Sequence, residues 1–251
     1  MIKISAIKHS KYLIISCLLT SLFTVVSAQN LLPESNPEFQ FDYALPEPID
    51  FNTLQEAAEW ADVVAVAQVV NVDYQKTRDL NAKGQAFLTV RVPYKGIDKN
   101  DLLIVSAKGF EDYQCYYPDR LGEGQRYLVF LKQSTENDSE YHGFKPFCQL
   151  QVLLDDAGLY NLRYPTDTNI EFEENLIKDV TYQDPNALID GTEWTSIKRQ
   201  EFQESFKTEL ITEEDLFQKY FYLKFTQGIP LSDIRPLLNV KRQAKIDSDQ
   251  M

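Results

Sequence analysis

Histidine is the residue whose scarcity excludes most chemistry in this chain of 251 residues. The sequence holds two histidines, and because His9 lies among the first 28 residues, the remainder has His142 alone. A zinc site needs several nitrogen or thiolate ligands, and a Ser-His-Asp or Cys-His arrangement would depend entirely on His142. His142 adjoins a polar run, which predicts a solvated loop. We therefore predict no catalytic residue, no metal site and no cofactor.

Cysteine is nearly as scarce, with three residues. The first 28 residues carry three lysines and no acid, then an apolar run over 12–26, and they end in the small residues VSA. These features predict a secretory signal peptide, residues 1–28, cleaved before Gln29. A retained membrane anchor and a lipoprotein signal at Cys17 are the alternatives.

Export would place the other two cysteines, Cys115 and Cys148, in an oxidising compartment, either periplasmic or extracellular. We expect them to form a disulfide there. The bond would link the loop before the fourth predicted strand to the loop after it. On the chain-entropy model it would stabilise the fold by about 3–4 kcal/mol. A dithiol redox pair is the alternative, but it usually needs the Cys-x-x-Cys spacing that this chain lacks.

Basic residues are fewer than acidic ones in this chain. It has 25 Lys and Arg and 38 Asp and Glu, which gives a net charge of −13. Such a surface repels phosphate backbones and anionic lipids, so neither nucleic acid nor a membrane surface is expected as a partner. Solubility is the favoured explanation of the charge, and an acidic recognition surface is the alternative. Gly122 and Gly124 also lack the lysine and the helix start of a phosphate-binding loop.

Local patterns predict an α+β fold in six segments. The segments are a signal peptide (1–28), an extended proline-rich leader (29–50), a β-barrel domain (51–164), an acidic linker (165–192), a helical segment (193–240) and a disordered tail (241–251). The barrel domain opens with a helix that Asn52 or Thr53 can cap. Six β-rich runs follow with no helix between them, over 63–72, 87–92, 102–106, 126–131, 149–154 and 159–162. We therefore predict a small antiparallel OB-like barrel, preceded by a short helix and followed by helices.

The aromatic C-terminal segment predicts three helices. The first covers about 194–210, the second starts at the capping residue Thr212 and ends near Gly228, and the third covers 232–238. Packing onto the barrel is the favoured role for their aromatic faces, and a docking surface for a partner is the alternative.

Several motifs, taken in order, resemble a family of secreted bacterial domains. Residues 61–69 (ADVVAVAQV) are similar to the segment that leads from a helix into the first strand, and residues 92–96 (VPYKG) to a strand ending in Lys-Gly. Residues 115–130, which run from CYY to YLVF, resemble the third landmark, and Cys148 resembles the closing cysteine. These domains are similar to the OB-fold barrel of tissue inhibitors of metalloproteinases and of netrin modules. The resemblance therefore implies an OB barrel over about 54–164.

An OB barrel is, by analogy, a platform for binding. We predict an exported, non-enzymatic binding or inhibitor-like module with a protein or glycan partner. Tyr113, Tyr116 and Tyr117 beside Cys115 are the candidate contacts, because tyrosine can stack on sugar or contact protein. Shielding of the disulfide is the alternative role for these tyrosines, and it is the favoured one. The animal inhibitors place an N-terminal Cys-x-Cys over the protease zinc, whereas residues 29–32 (QNLL) hold no cysteine. That departure argues against metalloproteinase inhibition.

Two other functions stay open at this point. An envelope scaffold would dock another subunit through the aromatic C-terminal helices. A carboxylate-based hydrolase acting on sugar would use Glu111 and Asp112. These two acids lie in a predicted polar turn, where adjacent carboxylates are usually only solvated, so the hydrolase is the less favoured alternative.

Overall fold

A pair of long antiparallel strands organises the fold of this computed structural model. The structure describes residues 49–76, 81–110, 114–118, 124–135 and 137–240. The predicted signal peptide, nearly all of the predicted leader and the predicted C-terminal tail lie outside these residues.

Within the described residues, five strands build a barrel, four others extend its sheet and three form a second sheet. The barrel strands are β1 (Val63–Lys76), β2 (Asn81–Lys95), β3 (Leu102–Phe110), β4 (Arg126–Gln133) and β5 (Glu140–His142). The others are β6 (Leu150–Leu154), β7 (Tyr160–Tyr164), β8 (Lys178–Asp179), β9 (Leu188–Asp190), β10 (Thr208–Glu214), β11 (Lys219–Phe225) and β12 (Gln227–Pro230). The helices are α1 (Leu54–Trp60), α2 (Ser196–Phe206) and α3 (Leu231–Leu238), with 3₁₀ turns at Glu174–Leu176 and Pro185–Ala187.

The barrel closes because β1 pairs with both of its neighbours. It is antiparallel to β2 along nearly its whole length and to β4 from Val63 to Gln68, so the order β1-β2-β3-β5-β4 returns to β1. The pairings are antiparallel except that of β3 with β5, where Ile104 lies opposite Glu140 in parallel register. A closed five-stranded barrel with a helix before it and a helix at its C-terminal side confirms the predicted α+β class and OB-like architecture.

The strand that completes the barrel differs from the predicted one. The runs predicted at 149–154 and 159–162 form β6 and β7, which extend the sheet outward from β4 to β12 and β8. The barrel is closed instead by β5, a strand of three residues that includes His142, a residue predicted to lie in a solvated loop. A strand this short and polar carries no β pattern of its own, because its place depends on backbone pairing with β3 and β4.

The uncharged sequence of β1 reflects burial on both of its faces. Val63 and Ala65 point into the barrel interior, beside the two cysteines. Val64 and Val66 point to the other side, into a cluster that includes residues of α1 and α3. A strand covered on both faces needs apolar residues at successive positions rather than at alternate ones.

Helix α1 is held at both of its ends. The hydroxyl of Thr53 accepts a hydrogen bond from the Glu56 backbone N–H at 3.1 Å, as an N-cap residue does, so the capping prediction is confirmed. The ammonium of Lys95, at the end of β2, donates to the carbonyls of Ala58 (2.8 Å) and Ala61. A cation at this end of a helix meets the negative end of its dipole. The contact therefore ties α1 to the barrel.

Within the predicted helical segment, the first and third helices are present as α2 and α3, but α2 ends at Phe206, and Leu210, predicted to lie in the first helix, belongs to β10. The prediction of a second helix starting at Thr212 is wrong, because residues 208–225 form the antiparallel hairpin of β10 and β11. Lys207 adopts a left-handed conformation (φ 49°) that ends α2 and turns the chain into β10. The dense aromatic and β-branched residues of this stretch favour strands, and they fit a two-residue period as well as a helical one.

The C-terminal elements join the barrel sheet through its outer strands. Residues 165–192, predicted as an acidic linker, supply β8, which pairs with β12, and β9, which pairs with β11. The buried guanidinium of Arg163 on β7 lies 5.2 Å and 4.9 Å from the ring centroids of Phe206 and Phe225, and pairs with Asp167 at 2.6 Å. The exact positions of the domain boundaries stay predictions.

Candidate functional site

A buried disulfide links the segment before β4 to the segment that follows β5. Cys115 and Cys148 are bonded, with their Cα atoms 5.9 Å apart and no solvent exposure of either residue. The separation is typical of a protein disulfide, so the predicted pairing is confirmed. A stable disulfide indicates folding in an oxidising environment.

The two predicted contact tyrosines that the structure describes lie around this disulfide. Tyr116 and Tyr117 expose 7% and 2% of their surface. The Tyr117 hydroxyl donates to the Cys148 carbonyl at 2.9 Å, and the Tyr116 ring packs edge-on against that of Tyr74 at 5.2 Å. Burial raises the pKa of Tyr117 well above its ordinary value, with smaller contributions from the neighbouring tyrosines. The geometry is that of shielding, and a contact role for these residues stays a prediction.

Other residues singled out from the sequence divide into those inside and those outside the described ranges. Glu111, Asp112 and Tyr113 lie outside them. His142 belongs to β5 rather than to a solvated loop, and it is partly buried. Burial and then the charge of Lys132 lower its pKa. The described ranges contain no group of three or more His, Cys, Asp and Glu residues placed to hold a metal ion.

A polar cleft of about 550 Å³ lies on the barrel face formed by β1, β2, β3 and the connection from β4 to β5. It is lined by Asp73, Gln75, Lys83, Gly84, Gln85, Ser106, Ala107, Ser134, Asn137 and Glu140. OB barrels bind oligonucleotides and oligosaccharides on the face of their second and third strands, next to the loops after strands 1 and 4. The polar cleft therefore occupies the position that this fold commonly uses for ligands.

The carboxylate of Glu140 is the centre of a hydrogen-bonded group in the cleft. Its Oε1 atom accepts from Nε2 of Gln85 at 3.0 Å and from Nδ2 of Asn137 at 2.7 Å. The Oδ1 atom of Asn137 in turn accepts from the backbone N–H and the hydroxyl of Ser139, at 3.1 and 2.7 Å. These bonds orient the two amides and the carboxylate before any ligand arrives, which lowers the entropic cost of binding.

Strands β1 and β2 approach each other closely at Gly84, one of the residues that line the cleft. Gly84 lies opposite Tyr74 in the β1–β2 register and has φ +148°. A Cβ atom at Gly84 would lie 2.0 Å from the Asp73 carbonyl oxygen, so a larger residue would displace backbone. A glycine inside a strand signals such an approach and is visible in the sequence.

The charges and polar groups of the cleft define what it can bind. Among the described residues that line the cleft, the charged groups are the carboxylates of Asp73 and Glu140 and the ammonium of Lys83, and the other polar side chains are amides and hydroxyls. Amides both donate and accept hydrogen bonds, whereas carboxylates accept them. This combination suits a ligand with many hydroxyl groups and no negative charge.

These residues were missed in the sequence because they are ordinary polar residues at widely separated positions. Their common location follows from barrel closure, which places β5 beside β3.

Comparisons of the chain with family models, with curated proteins and with solved structures find no match. In the described part of the chain, no helix combines the length and the apolar character needed to span a bilayer. The class of protein is thus defined by its fold, an α+β protein with a closed OB-like barrel and a buried disulfide.

Proposed function

We propose that this chain is an exported, non-enzymatic binding module whose polar cleft binds a neutral oligosaccharide. The observation that carries the proposal is the hydrogen-bonded group of Gln85, Asn137 and Glu140, which presents oriented donors and acceptors on the ligand-binding face of an OB-like barrel.

A sugar fits this chemistry better than the other ligands of OB barrels do. Small-molecule sites use a few well-placed polar groups to fix orientation, and the amides and carboxylate of the cleft complement neighbouring hydroxyls of a sugar ring. Phosphate backbones are disfavoured by Asp73 and Glu140 and by the net charge of −13. The described residues of the cleft lining also include none of the aromatic side chains on which single-stranded nucleic acids stack.

Two further observations support export and kinship with netrin-like domains. The signal-like first 28 residues agree with a disulfide that needs an oxidising, periplasmic or extracellular compartment. The Lys-Gly motif also has a structural reason, since Lys95 caps α1, and a Cβ at Gly96 would lie 2.1 Å from the Asp62 carbonyl oxygen. The motif residues thus hold the helix against the barrel, as a shared fold would require.

The test is a screen of the purified protein on an array of neutral and acidic glycans. The best-bound neutral glycan is then titrated calorimetrically. The double variant Gln85→Ala/Glu140→Ala should weaken binding at least tenfold, because it removes two of the oriented groups. The matched control is Gln55→Ala/Glu59→Ala, which removes a similar Gln–Glu hydrogen bond (2.8 Å) on exposed α1 and should leave binding unchanged. Failure of every neutral glycan to bind, or equal affinity of the two double variants, would contradict the proposal.

A further inference from the structure

The turn between β10 and β11 displays two large apolar side chains in solvent. Leu216 and Phe217 expose 96% and 93% of their surface, the highest values among the large hydrophobic residues of the described ranges. They are adjacent and lie at the end of the hairpin, where neither contributes to a core cluster. Single exposed apolar residues are common on proteins, but a fully exposed Leu-Phe pair at a turn is a feature typical of interaction sites.

The turn is held in a defined conformation by Asp215. Its Oδ1 atom accepts from the backbone N–H groups of Phe217 (2.7 Å) and Gln218 (2.9 Å), and its Oδ2 atom accepts from the hydroxyl of Tyr220 (2.9 Å). The backbone N–H of Asp215 donates to the Gln218 carbonyl at 3.0 Å. The hydrogen bonds from Gln218, Phe217 and Tyr220 also lower the pKa of Asp215. The two apolar side chains are therefore presented on an ordered turn, which reduces the entropic cost of docking.

The charge around the turn is strongly negative. Glu213, Glu214 and Asp215 precede Leu216 directly, and Lys219 is the one basic residue from 213 to 219. A membrane would therefore be a poor acceptor, because inserting the apolar pair would bring three carboxylates to the headgroups. A protein pocket with a basic rim would instead match both the apolar pair and the carboxylates.

We propose that the β10–β11 turn is a docking element, and that it inserts Leu216 and Phe217 into an apolar pocket of a partner protein whose rim carries lysine or arginine. The inference is independent of the polar cleft, because the two use different residues on different strands. Apolar anchors surrounded by complementary charge are the usual composition of an interaction hot spot.

Photo-crosslinking of the full-length protein in the organism that encodes it tests the proposal. Benzoylphenylalanine is placed at Phe217 or, as a control, at Leu159. Leu159 is 64% exposed and lies in the β6–β7 turn, which an aspartate, Asp155, holds in a similar way. We expect one discrete protein adduct from position 217, at least tenfold above the yield from position 159. The crosslinked peptide should be an apolar segment flanked by lysine or arginine.

Charge reversal and a lipid probe complete the test. Glu213→Lys/Glu214→Lys should reduce the adduct from position 217 at least tenfold. Both side chains are exposed, so the fold should be retained, with a small loss of melting temperature because Glu214 lies opposite Lys219 in the β10–β11 register. Vesicles of phosphatidylcholine with or without phosphatidylglycerol should not sediment the protein. The proposal is overturned by the absence of an adduct, by equal yields from the two positions, or by an adduct insensitive to charge reversal. An adduct to a second copy of the chain, or vesicle binding that Phe217→Ser abolishes, would overturn it equally.

Discussion

Removal of the Cys115–Cys148 bond should cause a large and measurable loss of stability. The bond joins positions separated by 33 residues, and both cysteines are completely buried in the barrel core. A cross-link of this span restricts the unfolded chain, because it forbids all conformations in which the two ends are far apart.

The magnitude follows from the length of the loop. With 33 residues in the closed loop, the chain-entropy relation gives a loss of about 12.5 cal/mol/K on cross-linking, or about 3.7 kcal/mol at 25 °C. With a urea m-value of about 2–3 kcal/mol/M, the unfolding midpoint should fall by about 1.2–1.9 M. The double variant Cys115→Ala/Cys148→Ala should lose somewhat more stability than the reduced protein does, because it also removes two buried sulfur atoms from the packed interior.

The assay compares urea unfolding of the oxidised protein, of the same protein reduced and kept in reductant, and of the double alanine variant. The reduced protein is the matched control for packing, since it retains both sulfur atoms and lacks only the bond. Equal midpoints for the oxidised and reduced proteins would refute the reasoning. So would alkylation of Cys115 and Cys148 in urea without reductant, detected by mass spectrometry on protein taken from its native compartment.

Two further predictions concern the junction of α1 with the barrel and its surroundings. Lys95→Met should lower the free energy of unfolding by about 1–3 kcal/mol, because the carbonyls of Ala58 and Ala61 lose a charged donor. The same change at exposed Lys99 should cost less than about 0.5 kcal/mol, and equal urea midpoints for the two variants would contradict the helix-capping role. Burial raises the pKa of Tyr94 from 10.0 to about 12. The fold thus favours the neutral phenol, and stability that is complete below pH 10 is lost as the pH rises toward 12. The fall in melting temperature between pH 9 and pH 11.5 should be larger for the natural protein than for Tyr94→Phe. Equal falls for the two proteins would contradict the prediction.

Local sequence determines much of the barrel. The β-branched runs of β1 to β4 are strands in the structure, and Thr53 caps α1 as the residue type predicts. The disulfide is predictable because two cysteines remain once Cys17 is assigned to the signal-like segment. In each case the information lies within a few neighbouring residues or in a simple count, so no knowledge of distant pairing is needed.

Helix and hairpin could not be distinguished over residues 208–225 from the sequence. Tyr220, Phe221 and Leu223 satisfy a helical face, yet in β11 Phe221 and Leu223 share one face and Tyr220 lies on the other. The partner strand β9 is supplied by a distant, acidic stretch. Leu216 and Phe217, which the helical interpretation placed on a packed face, lie instead at the exposed turn. Pairing with β9 and β10 decided the outcome, because apolar periodicity alone fits both structures.

Taken alone, the sequence determined the barrel strands β1 to β4, the capped helix and the cysteine pair, since these depend on residue type and local order. Only the tertiary structure decided that the polar residues Glu140–His142 close the barrel and that Glu140 meets Gln85 in one cleft. The physical reason is that backbone hydrogen bonding between distant strands is nearly independent of side-chain identity. A three-residue polar strand can therefore complete a barrel without leaving a pattern by which it could be predicted.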